Sequence, residues 1–257
     1  MLSSSSIAVK ASLLLQDTTN VRWSVQEMAK WINAGCRELV LLKPTALAAN
    51  VAMLLSAGTK QDLLGASFKS TTDGAAVTLS PIQLLDVVRN LGSTGTEANA
   101  GTVVIGLDRK ILDATLPGWH AMPTQPNNPE VLHFMADPRD PKVFYVYPKA
   151  TASPAMYVEI VVSRSPVNTL SDEATALGDN DIDAGIDDIY ESVLVDYVLY
   201  RAYSKDSEHT ANAGLSQWHY KAFQAGLGVQ LQNEVALAPR QQFSNGRPPA
   251  EGQRQQG

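Results

Sequence analysis

The sequence predicts an α+β fold: a four-helix bundle formed by N- and C-terminal helical hairpins, with an antiparallel β-rich segment inserted between them. Three observations predict it. Apolar residues recur at three- and four-residue spacing near both ends of the chain. In the middle, β-branched and aromatic residues gather in short runs punctuated by proline and glycine. A capping box marks the start of one terminal helix. On this reading residues 1–44 hold the N-terminal hairpin and 45–167 the β-rich insertion. Residues 168–182 form an acidic linker, 183–228 the hairpin that completes the bundle, and 229–257 an extended or disordered tail.

The elements follow in order. Serines 3–6 can cap a first helix carrying Ile7, Val9, Leu13 and Leu14, which ends near Asp17-Thr18-Thr19-Asn20. Ser24 and Glu27 form the capping box, with Trp23 and Met28 in the staple positions on either side. The helix that follows places Met28, Ile32, Cys36 and Leu39 on one side, with Trp31 alongside, and Lys43-Pro44 ends it. Strands are predicted at Ala48–Ser56, Thr59–Leu64 and Thr102–Ile105. Ile82–Val88 fits either a helix opened by Ser80-Pro81 or an alternating strand. Asp108 caps a short helix that Pro117 stops. Val131–Met135, Lys142–Tyr147 and Met156–Val162 are predicted to pair as a three-stranded antiparallel meander, with Met156, Val158, Ile160 and Val162 on one face.

The chain returns to helix near Asp183. Ile186, Ile189, Tyr190, Val193, Tyr197 and Tyr200, widened by Leu194, Val198 and Leu199, make this helix apolar over most of its circumference, which predicts a central position. A last helix carries Ala211, Leu215, Trp218, Ala222 and Ala225 on the predicted inward face and ends at Gly226 or Gly228. Tyr197 and Trp218 are thus expected as core anchors.

Composition narrows the functional classes. The formal net charge is −6, and no Lys/Arg run precedes the C-terminal tail, so the chain as a whole is no electrostatic match for nucleic acid. Its one cysteine, Cys36, excludes an intramolecular disulfide and fits a reducing cytosol. The N-terminus lacks the basic and long apolar regions of a signal peptide, and no window is long and apolar enough to span a membrane, so a soluble protein is expected.

Chemistry is sparse. The acids Asp172, Glu173, Asp179, Asp181, Asp183, Asp187 and Asp188 resemble a cation loop superficially. The glycine and glutamate of an EF-hand would nevertheless fall on Ala184 and Tyr190, which favours a solvated loop with acids ahead of a helix N-terminus. His209 and His219 lie ten residues apart and share no helical face, while His120 and His133 are isolated from them. Gly92-Ser93-Thr94-Gly95-Thr96 lacks the end of a phosphate-binding loop, and Trp119-His120 reads as a buried turn anchor. No catalytic residue, metal or cofactor is expected. The tail from Pro239 is rich in Gln, Pro, Arg and Gly. It is locally basic through Arg240, Arg247 and Arg254 against Glu251, with Phe243 almost its only apolar residue.

Several phrases carry a resemblance. Leu15-Gln16-Asp17, Arg22-Trp23-Ser24, Glu27-Met28, Trp31-Ile32-Asn33-Ala34-Gly35 and Arg37-Glu38-Leu39-Val40 resemble the first helical hairpin of head-to-tail adaptor (connector) proteins of tailed bacteriophages. Ile189 to Glu208 is similar to that family's C-terminal hairpin. Leu85–Asn90, Pro117–His120 and Asp140–Pro148 are similar to its β portion. The resemblance runs in order over residues 7–226 and departs at Ala66–Ala76, at Gly92–Gly101 and after Gly228.

The resemblance implies a structural virion protein of the head–tail neck, made in the host cytoplasm, without enzymatic activity. It implies a homo-oligomeric ring, a dodecamer, between the portal protein and a downstream tail or nozzle protein, with DNA passing through the lumen without sequence-specific binding. It also implies that the tail, through Arg240, Phe243, Arg247 and Arg254, contacts the portal. Two other readings remain open: a different virion interaction module, such as a tail or host-contact β domain, and a metal-dependent hydrolase using the acidic run.

Overall fold

A computed structural model describes residues 3–124, 129–168, 185–206 and 210–237. The protein is α+β. Its helices are α1 (Ser4–Leu14), α2 (Val25–Leu42), α3 (Arg109–Thr115), α4 (Glu191–Lys205) and α5 (Thr210–Leu237). Its strands are β1 (Ala48–Leu54), β2 (Gly58–Asp62), β3 (Phe68–Lys69), β4 (Ala76–Val77), β5 (Pro81–Asn90), β6 (Ile105–Gly106), β7 (His133–Ala136), β8 (Val143–Ala150) and β9 (Tyr157–Arg164). The acidic run from Asp172 to Asp183, His209 and the tail residues Arg240, Phe243, Arg247 and Arg254 lie outside the described residues.

α1, α2, α4 and α5 contribute to one apolar core. Ser3 caps α1 by accepting from the Ser6 N–H, and Ser24 caps α2 by accepting from the Glu27 N–H at 3.3 Å. Met28, Ile32, Cys36 and Leu39 are fully buried, as their spacing predicts. α1 ends in a Schellman motif: the Gln16 N–H donates to Leu13 C=O and the Asp17 N–H to Ser12 C=O, with Gln16 at φ +56°. α4 is the central helix of this layer. It buries Val193, Leu194, Val195, Tyr197, Val198, Leu199 and Ala202 and touches the other three. It begins at Glu191, later than predicted, after a 3₁₀ turn over Asp188–Tyr190.

α5 departs from expectation in two ways. It continues to Leu237, because neither Gly226 nor Gly228 leaves helical geometry. Gly226 serves packing instead: a Cβ there would stand 2.9 Å from Val193 Cγ2. The inward face is also not the predicted one. Ser216, Phe223 and Leu227 are buried with Tyr220 beside them, whereas Leu215 and Trp218 are exposed, Trp218 at 61%. Trp218 is therefore no core anchor. Phe223 and Leu227, with the Tyr220 hydroxyl donating to Glu38 at 2.8 Å, outweigh a stripe made mostly of alanine.

The β region forms two sheets, ordered β4-β3-β1-β9-β5 and β2-β8-β7-β6. The meander is half right. β7 and β8 pair antiparallel, but β9 leaves them for the other sheet, where it pairs with β1 on one side and β5 on the other. The reason is burial on the inner faces: Phe144 and Val146 of β8 meet Val158, Ile160 and Val162 of β9 across one shared core, which requires the two strands to face each other rather than lie edge to edge. Ile82–Val88 is strand, with three irregularities in its register against β9. Residues 101–106 cross from β5 to β7, since Gly101 N–H donates to Asn90 C=O and Ile105 N–H to Leu132 C=O. This links the two sheets at one edge. A 3₁₀ turn over Pro44–Leu47 joins the layers, burying Leu47 in the helical core and leading directly into β1.

Candidate interaction surfaces

Ion pairs at both ends of α4 set its place against the α1–α2 hairpin. At its start, Glu191 accepts from the Ser6 hydroxyl and pairs with Lys10. At its end, Lys205 pairs with Glu27 and Asp206 with Arg22. The capping box is therefore only half used, since the Glu27 carboxylate turns to another helix. Asp17 organises the connecting loop by accepting from the N–H groups of Val21 at 3.0 Å and of Arg22 and Trp23 at 2.9 Å each. The bond from Trp23, with those from Val21 and Arg22 and the Arg22 charge, holds its carboxyl below the usual aspartate range. Trp23 is buried, and the Arg22 guanidinium lies 4.9 Å above its ring.

α2 and α4 cross where Gly35 lies under Tyr197. A Cβ at Gly35 would stand 2.8 Å from Tyr197 Cδ1 and 3.2 Å from Leu194 Cδ2. Tyr197 is buried, and that burial together with the nearby Glu38 raises its phenol above the ordinary value. Trp31 packs half-buried against the same core. Cys36 is sealed in, and burial pushes its thiol up to about 12, so it is unreactive.

Outward, the helical layer presents large apolar side chains: Val9, Leu13 and Leu14 on α1, Leu41 and Leu42 at the end of α2, and Leu215 and Trp218 on α5. Between α1 and α4 runs a groove of about 490 Å³ lined by Lys10, Leu13, Leu14, Glu191, Ser192, Val195 and Asp196. A second cleft, about 610 Å³, lies between α3 and the β7–β8 turn. Its charges are largely committed to one another, Arg139 on Asp137 and Arg109 on Asp113 with its guanidinium over Tyr145.

The described histidines serve packing and local hydrogen bonding. Trp119 is fully buried and is the turn anchor the sequence predicts, whereas His120, stacked on it at 3.7 Å and bonded to Thr59 at 2.8 Å, is exposed. Trp119 Nε1–H donates to Asp113. His133 stacks on Tyr147, and His219 bonds Asp196 at 2.9 Å. Asp187 caps the turn ahead of α4 by accepting from the Ile189 N–H. Among the described residues, no three His, Cys, Asp or Glu side chains gather as a metal site, and no helix is long and apolar enough to cross a membrane.

Sequence reasoning missed the buried polar clamps of the β region. Asn90 donates to Val131 C=O at 2.8 Å and to Thr102 C=O at 3.0 Å, and accepts from the Val131 N–H at 2.9 Å. Gln61, fully buried, holds the β1–β2 turn through both Ser56 backbone groups. Glu159 receives Asn50 and pairs with Arg89. The one available signal was a polar residue at an inward position of a strand pattern, legible at Asn90 once Ile82–Val88 is taken as strand.

Among known protein families, the model of one described as SU10 adaptor protein matches residues 3–247. No curated protein matches the chain.

Proposed function

The chain belongs to the SU10 adaptor protein family, and from that premise we propose that it is a structural component of the phage neck, joining head to tail as a ring of identical subunits. The observation that carries this is the extent of the family match, which takes in both helical ends and the β region rather than one motif. The four long helices act as one bundle forming the body of the ring. One ring face meets the portal protein and the other the next tail component, with twelve copies around a lumen that passes DNA. A net charge of −6 suits that lumen, because a like-charged wall does not grip the moving phosphates. The tail, through Arg240, Phe243, Arg247 and Arg254, docks on the portal. The reading assigns no catalytic step.

Light scattering of the full chain with and without purified portal tests it. Twelve copies of a 27.6 kDa chain add about 330 kDa to the portal, and that increment is the expected result. A chain that ignores the portal overturns the reading in favour of a different interaction module. Truncation at Pro239 separately tests the tail: the subunit is expected to fold and to lose portal binding, and undiminished binding removes the tail from the contact.

A further inference from the structure

The helical layer has two exposed faces of opposite character. On α4, Leu194 and Tyr197 turn to Gly35 of α2, while Ser192, Val195 and Asp196 floor the groove beside α1. At 100° per residue these two sets stand about 180° apart, so α2 and the groove lie on opposite sides of α4. The groove side combines Leu13 and Leu14, 60% and 59% exposed, with two acids, Glu191 paired with Lys10 and Asp196 held by His219, so its rim carries one more carboxylate than lysine. Trp218 extends it, since its indole lies edge-on to His219 at 4.7 Å and His219 holds Asp196.

The outer face of α2 carries Lys30, Arg37 and Leu41 at helical spacing, all exposed, with Leu41 at 77%. The acids nearest these cations along the helix are turned elsewhere, Glu27 to Lys205 and Glu38 to Tyr220, and Arg37 donates to the neutral Asn168 side chain at 2.7 Å, which leaves its charge uncompensated. Scattered exposed leucines need no explanation, but leucines grouped with acids on one side and with bases on the other do.

We propose that the acid-rimmed groove between α1 and α4 receives the outer face of α2 from a second copy of this chain, joining subunits head to tail. The inference rests on the ring reading above and names the surfaces through which the ring is built. Because the two surfaces differ and lie on opposite sides of the subunit, the contact is heterologous and each addition leaves one groove and one α2 face open, which only closure of a ring satisfies. The basic α2 face fits the acidic rim, and Leu41 meets Leu13 and Leu14.

Cross-linking tests this on the full chain bound to portal. Leu14→Cys/Leu41→Cys is expected to give, on mild oxidation, a ladder of covalent dimers, trimers and higher species. Leu14→Cys alone and Leu41→Cys alone are expected to give none, and an equimolar mixture of the two to stop at dimers. Cys36, buried and unreactive, does not enter. A second variant, Lys30→Glu/Arg37→Glu, is expected to keep the wild-type circular dichroism and to lower the number of subunits gathered per portal. A wild-type chain that gathers on the portal while the double-cysteine variant gives no ladder overturns the inference and leaves the ring reading standing. Dimers from either single variant overturn it in favour of a like-to-like contact. A wild-type chain that never gathers on the portal overturns the ring reading, and this inference with it.

Discussion

The helical layer and the β region bury apolar surface by different devices. In the helical layer, segments from the two ends of the chain meet through close approach at small residues, Gly35 under Tyr197 and Gly226 beside Val193, and ion pairs at the ends of α4 hold the register. In the β region a contiguous segment folds into two sheets whose shared core is apolar, but whose strands are tied by buried polar side chains, Asn90 and Gln61 on edge strands and Glu159 on the interior strand β9. The difference teaches where each can tolerate change. A helix satisfies its own backbone and asks its neighbours only for shape. A strand leaves donors and acceptors to be matched by others, so a single buried amide can hold two segments together.

Breaking the polar clamp is the most damaging test of this contrast. Asn90→Ala leaves the N–H and C=O of the fully buried Val131 without their partner. At about 1–3 kcal/mol for each of these two orphaned groups, a loss of about 2–6 kcal/mol is expected in urea unfolding. The corresponding change in the helical layer is Gly35→Ala. Its methyl must displace the Tyr197 ring, and about 1–3 kcal/mol is expected from overpacking, with a change in near-ultraviolet tyrosine dichroism marking the site. If Asn90→Ala proves the milder of the two, the contrast is wrong.

The loop that joins α1 to α2 sharpens the comparison through pH. Asp17 has a folded pKa below its ordinary value, so its contribution is fully present above about pH 4 and is lost as pH falls through the folded pKa. Asp17→Asn is therefore expected to lower the thermal midpoint at pH 7, and the gap from wild type is expected to close in acid. A gap independent of pH means that the carboxylate charge is not what holds the loop. The smallest effect is expected at Gln16, whose left-handed backbone suits glycine. Gln16→Gly is expected to raise stability by no more than about 1 kcal/mol, read as a small rise in the same midpoint.

Legibility followed the same division. The start of α2, its buried face, the centrality of α4 and the Trp119 anchor could all be read from spacing and capping residues. The strands at β1, β7, β8 and β9 could be read as strands, and the β7–β8 pairing followed from their short connection, but the partners of β1 and β9 could not be read. A period of two says which residues face inward and nothing about which strand lies alongside. For α5 the periodicity misled. Ala211, Leu215, Trp218, Ala222 and Ala225 make a regular stripe, yet all of it but the half-buried Ala222 is exposed, because the helix turns Phe223 inward onto Tyr197 of α4.

Of the surfaces, the sequence held the components without their arrangement. Lys30, Arg37 and Leu41 share a helical face on inspection, whereas Leu14 and Glu191 belong to elements far apart in the chain and form one groove only after folding. By itself the sequence determined the α+β class, the helix caps, the apolar faces of α2 and α4 and the resemblance to an adaptor family, all of which depend on residues near one another in the chain. Only the tertiary structure decided that β9 joins the sheet opposite β8, which side of α5 is buried, and that the α1–α4 groove lies on the side of α4 away from α2. Those depend on contacts between distant segments, where local propensity is silent and total buried area selects the outcome.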